Sequence, residues 1–208
     1  MRDIVEQVKQ VHRTVGRVDT PDGEARTVVL RRAYPAPVEE IWSAVTDPER
    51  IGRWFLPVSG DLRLGGNYRL TDNAEGEILR CEPPHLFRIS WIYEGYSEVE
   101  VRLAPGDGTA TILELEHSAV YDPQQWAEYG PGAGGVGWDI GLLTLDRYLR
   151  GELDGAPEEW EDSPEAKEFA RLASDAWGTA SIAAGTPAEE AARMVTNTTA
   201  FYAPDPNE

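Results

Sequence analysis

His117 is the titratable residue best placed to do chemistry in this 208-residue chain. It closes "TILELEH", where strand alternation sets it on one face with Leu113 and Leu115 and turns Glu114 and Glu116 to the other. An imidazole on an apolar inner face can hydrogen-bond a ligand or act as general acid or base. The same pattern fits a core histidine satisfied by a hydroxyl or a backbone group. In a regular strand the two glutamates cannot orient it. A literal G-x-G-x-x-G occurs at Gly130, Gly132 and Gly135, ahead of a helix. A dinucleotide site places that spacing after a buried strand of a β-α-β unit. Here "DPQQWAEYGP" precedes it, which is no strand, and the reading is small residues that allow close approach or movement beside a helix. Cys81 ends a strand without a basic neighbour in sequence, the setting of an inert thiol. His12 and His85 lack a second histidine or carboxylate at ligand spacing, so neither a metal site nor a cofactor is expected.

The elements that must position these groups follow from the period of the apolar residues. "GGNYRLT", "EGEILRC", "HLFRISWIY", "YSEVEVRLA" and "GTATILELEHS" are short segments separated by turn residues, which predicts antiparallel hairpins. In the fourth, Val99, Val101 and Leu103 alternate with Glu98, Glu100 and Arg102, the mark of a sheet with one wet and one buried face. "ARTVVLRRAY" supplies a strand before them. Two helices come between: "PAPVEEIWSAVTD", with Val38, Ile41, Trp42 and Val45 on one face, and "TDPERIGRWF", opened by Asp47-Pro48 and ended by Trp54-Phe55.

"DPQQWAEY" predicts a short helix capped by Asp122. "WDIGLLTLDRYLRG" places Trp138, Leu142, Leu145 and Leu149 on a stripe broad enough to lie across a sheet. Ile4, Val8, Val11 and Val15 recur at helical spacing, which predicts a helix over residues 1–15 lying on the body. After Gly151 an acidic, turn-rich linker leads to two alanine-rich helices. One starts at Ser163-Pro164, and the other opens with a capping box at Thr186 and Glu189. Their stripes are too thin to be stable alone, so they should pack on the main domain or on a second subunit.

Composition excludes some function classes. There are 37 acidic and 19 basic residues, a formal net charge of -18, and nucleic acid is not an expected partner. No apolar run approaches the ~20 residues of a membrane span, and the N-terminus lacks the apolar stretch of a secretory signal. With a single cysteine, the expected location is cytoplasmic.

"RRAYPAPVEEIWSAVTDPERIGRWF", "GDLRLGGNYRL", "GEILRCEPPHLFRISW", "VRLAPGDGTATILELEHS" and "GGVGWDIGLLTLDRYL" resemble, in order, the successive signatures of the START-like superfamily. The branch they resemble most is that of proteins homologous to the activator of the ninety-kilodalton heat-shock protein ATPase. The resemblance implies an α+β helix-grip fold: a curved antiparallel sheet wrapped around a long helix at 133–150, with a cavity between them. It divides the chain into an N-terminal helix and turn (1–24), a START-like domain (25–151) and an acidic linker with a helical tail (152–208). It also turns a set of aromatics toward the cavity, so that Trp54, Phe55, Tyr68, Trp91, Tyr93, His117, Trp126, Trp138 and Leu142 are the expected ligand-binding residues. The function this implies is non-enzymatic binding of a small hydrophobic or aromatic molecule. Two alternatives stand beside it: a cyclase- or hydrolase-like enzyme with His117 as its acid or base, and a co-chaperone-like module that activates a heat-shock protein ATPase. A homodimer or a protein partner held through the helical tail belongs with the last.

Overall fold

Alternation between residues 12 and 119 resolves into eight strands of one antiparallel sheet. They are β1 (His12–Thr20), β2 (Gly23–Tyr34), β3 (Val58–Gly60), β4 (Asn67–Leu70), β5 (Glu75–Glu82), β6 (Leu86–Ile92), β7 (Tyr96–Pro105) and β8 (Thr111–Ala119). The spatial order is β1-β2-β8-β7-β6-β5-β4-β3. The structure is a computed structural model and describes residues 4–20, 23–93, 95–153 and 163–204. The turn residues 21–22 and the linker segment 154–162 therefore lie outside the described residues.

Seven helices accompany the sheet among the described residues: α1 (Ile4–Lys9), α2 (Val38–Thr46), α3 (Pro48–Trp54), α4 (Pro123–Tyr129), α5 (Gly132–Leu149), α6 (Pro164–Ala183) and α7 (Ala188–Tyr202). Together with the curved sheet they make the expected α+β helix-grip arrangement. Asp47 caps α3 by accepting from the Glu49 and Arg50 amides at 2.9 and 3.2 Å. Asp122 does the same for α4, and Ser163 caps α6. The capping box at Thr186 does not form: Pro187 is the N-cap of α7, and Thr186 Oγ1 accepts from Ser181 instead.

One element departs from the sequence reading. The helix expected over residues 1–15 stops at Lys9, and residues 12–20 pair with β2 along their whole length, from His12 with Arg31 to Thr20 with Gly23. Thr14, Val15 and Val18 are β-branched, and a nine-residue ladder outweighs a thin helical stripe. Arg13 stabilises the change of direction, because its Nη1 donates to the carbonyls of Val8 and Val11 at 3.0 and 2.9 Å. The chain on both sides of residue 24 thus belongs to one hairpin.

Helix α5 lies on the inner face of the sheet and is buried on nearly every side, as a central helix must be. Trp138, Gly141, Leu142 and Leu145, at i, i+3, i+4 and i+7, form one stripe. On the other side, Asp139 and Asp146 meet buried arginines. Arg13 holds Asp139 with two hydrogen bonds of 2.9 and 2.7 Å, and Trp177 of α6 donates to the same carboxylate at 2.8 Å. Asp146 receives Arg150 through two bonds and lies 3.2 Å from Arg32 of β2. Helix α5 is therefore fixed from behind by charge pairs at Asp139 and Asp146, two turns apart, while its front faces a cavity.

The tail packs on this same chain. Phe169, Ala173 and Trp177 of α6 are fully buried in the common core. From α7, Asn197, Thr198 and Tyr202 donate to the carbonyls of Glu128, Tyr129 and Ala133. This contact explains the glycine motif. An added Cβ would lie 2.5 Å from Met194 Sδ at Gly130, 2.8 Å from Thr198 at Gly132 and 2.3 Å from Trp177 at Gly135. The glycines let α6 and α7 approach the start of α5, which begins at Gly132, inside the glycine motif. Trp177 is fully buried and bonded to Asp139, so it cannot yield cheaply. Gly135→Ala is expected to lower the unfolding free energy by about 1–3 kcal/mol in urea titrations, despite the better helix former.

Candidate functional site

Between the inner sheet face and helices α2, α3 and α5 lies an apolar cavity of about 390 Å³. Its walls come from four sources. Trp42 and Val45 project from α2, and Trp54 and Phe55 from the end of α3. The front stripe of α5 supplies Trp138, Gly141, Leu142 and Leu145. The strands supply alternating residues such as Phe87, Ile89 and Trp91 of β6, with Val99 and Val101 of β7. Strand β5 contributes both Ile78 and Cys81, three apart, which a regular strand would turn to opposite faces. A bulge resolves this: register shifts between Ile78 and Arg80, and Leu79, the extra residue, points outward at 37% exposure.

The aromatic rings are fixed against one another and against the backbone. Trp91 and Trp138 meet edge to face at a centroid distance of 5.0 Å, and Phe55 lies near-parallel to Trp138 at 6.3 Å. Trp54 Nε1 donates to the Ala44 carbonyl at 2.9 Å. The Tyr68 hydroxyl donates to the Ser90 carbonyl at 2.8 Å, and burial pushes its pKa above the ordinary tyrosine value. The polar atoms of Trp54 and Tyr68 are thus bonded to main-chain carbonyls, and their apolar surfaces are left to the cavity. Near the entrance stand Leu62, 38% exposed, and Arg63, which pairs with Asp61.

His117 stands behind this wall. Trp138 Nε1 donates to its Nδ1 at 3.0 Å, and its Nε2 lies 2.9 Å from Ser97 Oγ. An indole N–H only donates, so Nδ1 is the acceptor and Nε2 carries the proton. Burial pushes the imidazole down to about 4, which keeps it neutral at physiological pH. Both ring nitrogens are engaged with protein groups, and the residue does not line the cavity. A proton-transfer role as catalytic residue therefore lacks the open access it requires.

Of the expected site residues, Trp54, Phe55, Tyr68, Trp91, Trp138 and Leu142 line the cavity together. Tyr93 and Trp126 do not. Tyr93 follows the last residue of β6 and is 59% exposed, so the alternation that carries Phe87, Ile89 and Trp91 inward has ended. Trp126 packs on Tyr121 at 5.0 Å with the Arg26 guanidinium over its ring, away from the cavity. Trp42 and Cys81 are lining residues that the expected set omits. Trp42 was visible on the apolar face of α2; Cys81 was not, because the bulge leaves no mark in the residue pattern. No group of three or more His, Cys, Asp or Glu that could hold a metal occurs among the described residues. No described helix is long and apolar enough to cross a membrane.

An antiparallel sheet curved around a long helix, with an apolar cavity between them, defines the START-like helix-grip class. Within it, the chain belongs to the family described as Activator of Hsp90 ATPase homolog 1-like protein, whose pattern matches residues 35–150. Among solved structures it is similar to CalU16 from Micromonospora echinospora. The crystal structure of that protein is 43% identical, with 82% of this chain and 97% of that one covered and a TM-score of 0.66. Its solution structure gives 45%, 85%, 97% and 0.70 for the same quantities. A second similar structure, DynU16, described as a putative protein of the dynemicin biosynthetic locus, is 28% identical. That likeness covers 60% of this chain and 47% of that one, with a TM-score of 0.54. An HSP90 activator from Plasmodium falciparum shares the fold at 22% identity, over 60% of this chain and 96% of that one, with a TM-score of 0.52. No curated protein matches the chain.

Proposed function

We propose that this protein binds a small hydrophobic or aromatic molecule in the cavity in front of α5 and does not convert it. The observation that carries this reading is the cavity itself: about 390 Å³, walled by aromatic rings, with the polar atoms of Trp54, Tyr68 and Trp138 bonded to protein groups. That volume falls in the range of small-molecule sites, about 300–1,000 Å³. Apolar walls with few polar groups suit recognition by shape and burial. The engagement of both His117 nitrogens argues for binding over cyclase- or hydrolase-like catalysis. The co-chaperone-like alternative rests on the family description and on a fold likeness at 22% identity. No side-chain arrangement described above favours it. Nor does the tail favour a dimer, since the apolar stripe of α6 is covered by the chain's own core.

Native mass spectrometry of protein purified from its own host is expected to show a retained small molecule. A direct test fills the space. An added Cβ at Gly141 meets nothing closer than Phe55 at 3.9 Å, so Gly141→Leu places its side chain in the cavity while improving helix propensity. Its affinity for 1-naphthol, measured by calorimetry, is expected to fall at least tenfold with unfolding stability kept or raised. Unchanged affinity in a folded variant would overturn the reading.

A further inference from the structure

We infer that His117 is a positioning residue that fixes the shape of the cavity's inner wall, through Trp138 directly and through Ser97 to Trp91, and so selects rigid rings over flexible chains. The inference rests on the ligand-binding reading and deepens it. Its basis is a chain of hydrogen bonds that runs in one direction. Trp138 Nε1–H donates to His117 Nδ1 at 3.0 Å, His117 Nε2–H donates to Ser97 Oγ at 2.9 Å, and the Ser97 hydroxyl donates to the Trp91 carbonyl at 2.8 Å. The two tryptophans at its ends are cavity walls in edge-to-face contact at 5.0 Å.

Trp91 and Ser97 face each other in the β6–β7 hairpin, whereas His117 and Trp138 come from elements further along the chain. Trp138 belongs to α5, His117 to β8, Ser97 to β7 and Trp91 to β6. The relay therefore ties the helix to three adjacent strands at one end of the cavity. It works in one tautomer only, because each group both receives and passes on a single proton donor. The imidazole also packs at right angles to the Trp138 ring, with centroids 5.8 Å apart, so rotation of either ring is opposed by contact and by hydrogen bonding. With the Trp138 ring held, and the Trp91 ring packed edge to face against it, the wall keeps one shape. A planar aromatic that matches it binds without reorganisation, while an alkyl chain, which gains most where walls yield, is disfavoured.

The test compares wild-type protein with His117→Phe, Ser97→Ala and Ser97→Thr. Phenylalanine keeps ring volume and removes both nitrogens; threonine keeps the hydroxyl that alanine removes. Nitrogen-15 spectra of the wild-type protein are expected to show the Nε2–H tautomer of His117. In the spectrum of His117→Phe the Trp138 indole N–H should shift and exchange faster with water. Calorimetry with 1-naphthol and 1-octanol reads the selectivity. The ratio of the two affinities is expected to fall about tenfold in His117→Phe and less in Ser97→Ala, and to be restored in Ser97→Thr. An Nδ1–H tautomer, an unmoved Trp138 resonance or an unchanged ratio would overturn the inference. If neither alcohol binds the wild-type protein, the ligand-binding reading has failed. The tautomer and the Trp138 resonance then decide the relay on their own.

Discussion

Asp139→Ala is expected to lower the unfolding free energy by about 3–5 kcal/mol, because it removes one partner of a buried, hydrogen-bonded ion pair. The carboxylate is fully buried and the Arg13 side chain is 6% exposed, so the arginine would be left charged, with only the Val8 and Val11 carbonyls as partners and little access to water. Trp177 Nε1, which donates to the same carboxylate, would also be orphaned. One residue of α5 thereby joins the N-terminal hairpin to the tail, and its loss should loosen both at once. Urea titration measures the loss. Limited proteolysis should show earlier cleavage on the amino side of α6 than in the wild-type protein. A double variant, Arg13→Met with Asp139→Leu, removes both charges and should recover part of the stability, since no buried charge is left unpaired, while Trp177 Nε1 and the Val8 and Val11 carbonyls still lose their partner. A double variant as unstable as Asp139→Ala alone would show that the hydrogen bonds to Trp177, Val8 and Val11, and not the unpaired charge, hold the junction.

The parts of this fold that could be read from the residues are those fixed by local period. Val99, Val101 and Leu103 against Glu98, Glu100 and Arg102 define a half-buried strand whatever surrounds them. The stripe from Trp138 to Leu149 likewise defines a helix that must be covered. Residues 12–20 were ambiguous because Val11 and Val15 fit a helical stripe with Ile4 and Val8, and the ladder that decides the matter belongs to β2. That Gly130, Gly132 and Gly135 allow close approach was legible, but what approaches them was hidden for a similar reason. Their partners, Met194, Thr198 and Trp177, lie about forty or more residues further along the chain. At the site, Trp54, Phe55 and Trp138 stood out as large rings at the ends and on the faces of recognisable helices. Tyr93 failed because strand alternation says which way a side chain points only while the strand continues. His117 was correctly placed on an apolar strand face, but the sequence left open whether it meets a ligand. Its nearest partners, Ser97 and Trp138, come from two other elements, and only their arrival at both nitrogens separates an engaged core imidazole from an acid or base.

That engagement has a measurable pH signature. Burial lowers the His117 pKa from its ordinary 6.5 to about 4 in the folded state. Between those values the unfolded chain binds a proton that the folded chain does not, so stability must rise with pH in this window. The contribution is complete above about pH 6.5, falls as the solution is acidified, and is exhausted below about pH 4. At about 1.4 kcal/mol for each unit of difference, the total is on the order of 3 kcal/mol. Surface carboxylates titrate near the lower end of the same range, which is why the comparison with His117→Phe matters. Phenylalanine cannot take up the proton, and subtracting its curve from the wild-type curve isolates the histidine. Urea titrations at pH 7, 6, 5 and 4 are expected to show the wild-type protein losing about 3 kcal/mol more than the variant over that span. Protonation of the folded protein would also turn Nδ1 from acceptor to donor against the Trp138 indole N–H, so tryptophan fluorescence of the folded protein should change around pH 4, where the folded imidazole titrates, and only in the wild-type protein. Parallel stability curves for the two proteins would mean that His117 accepts its proton while folded, and the relay it anchors would then not be the one drawn from these distances.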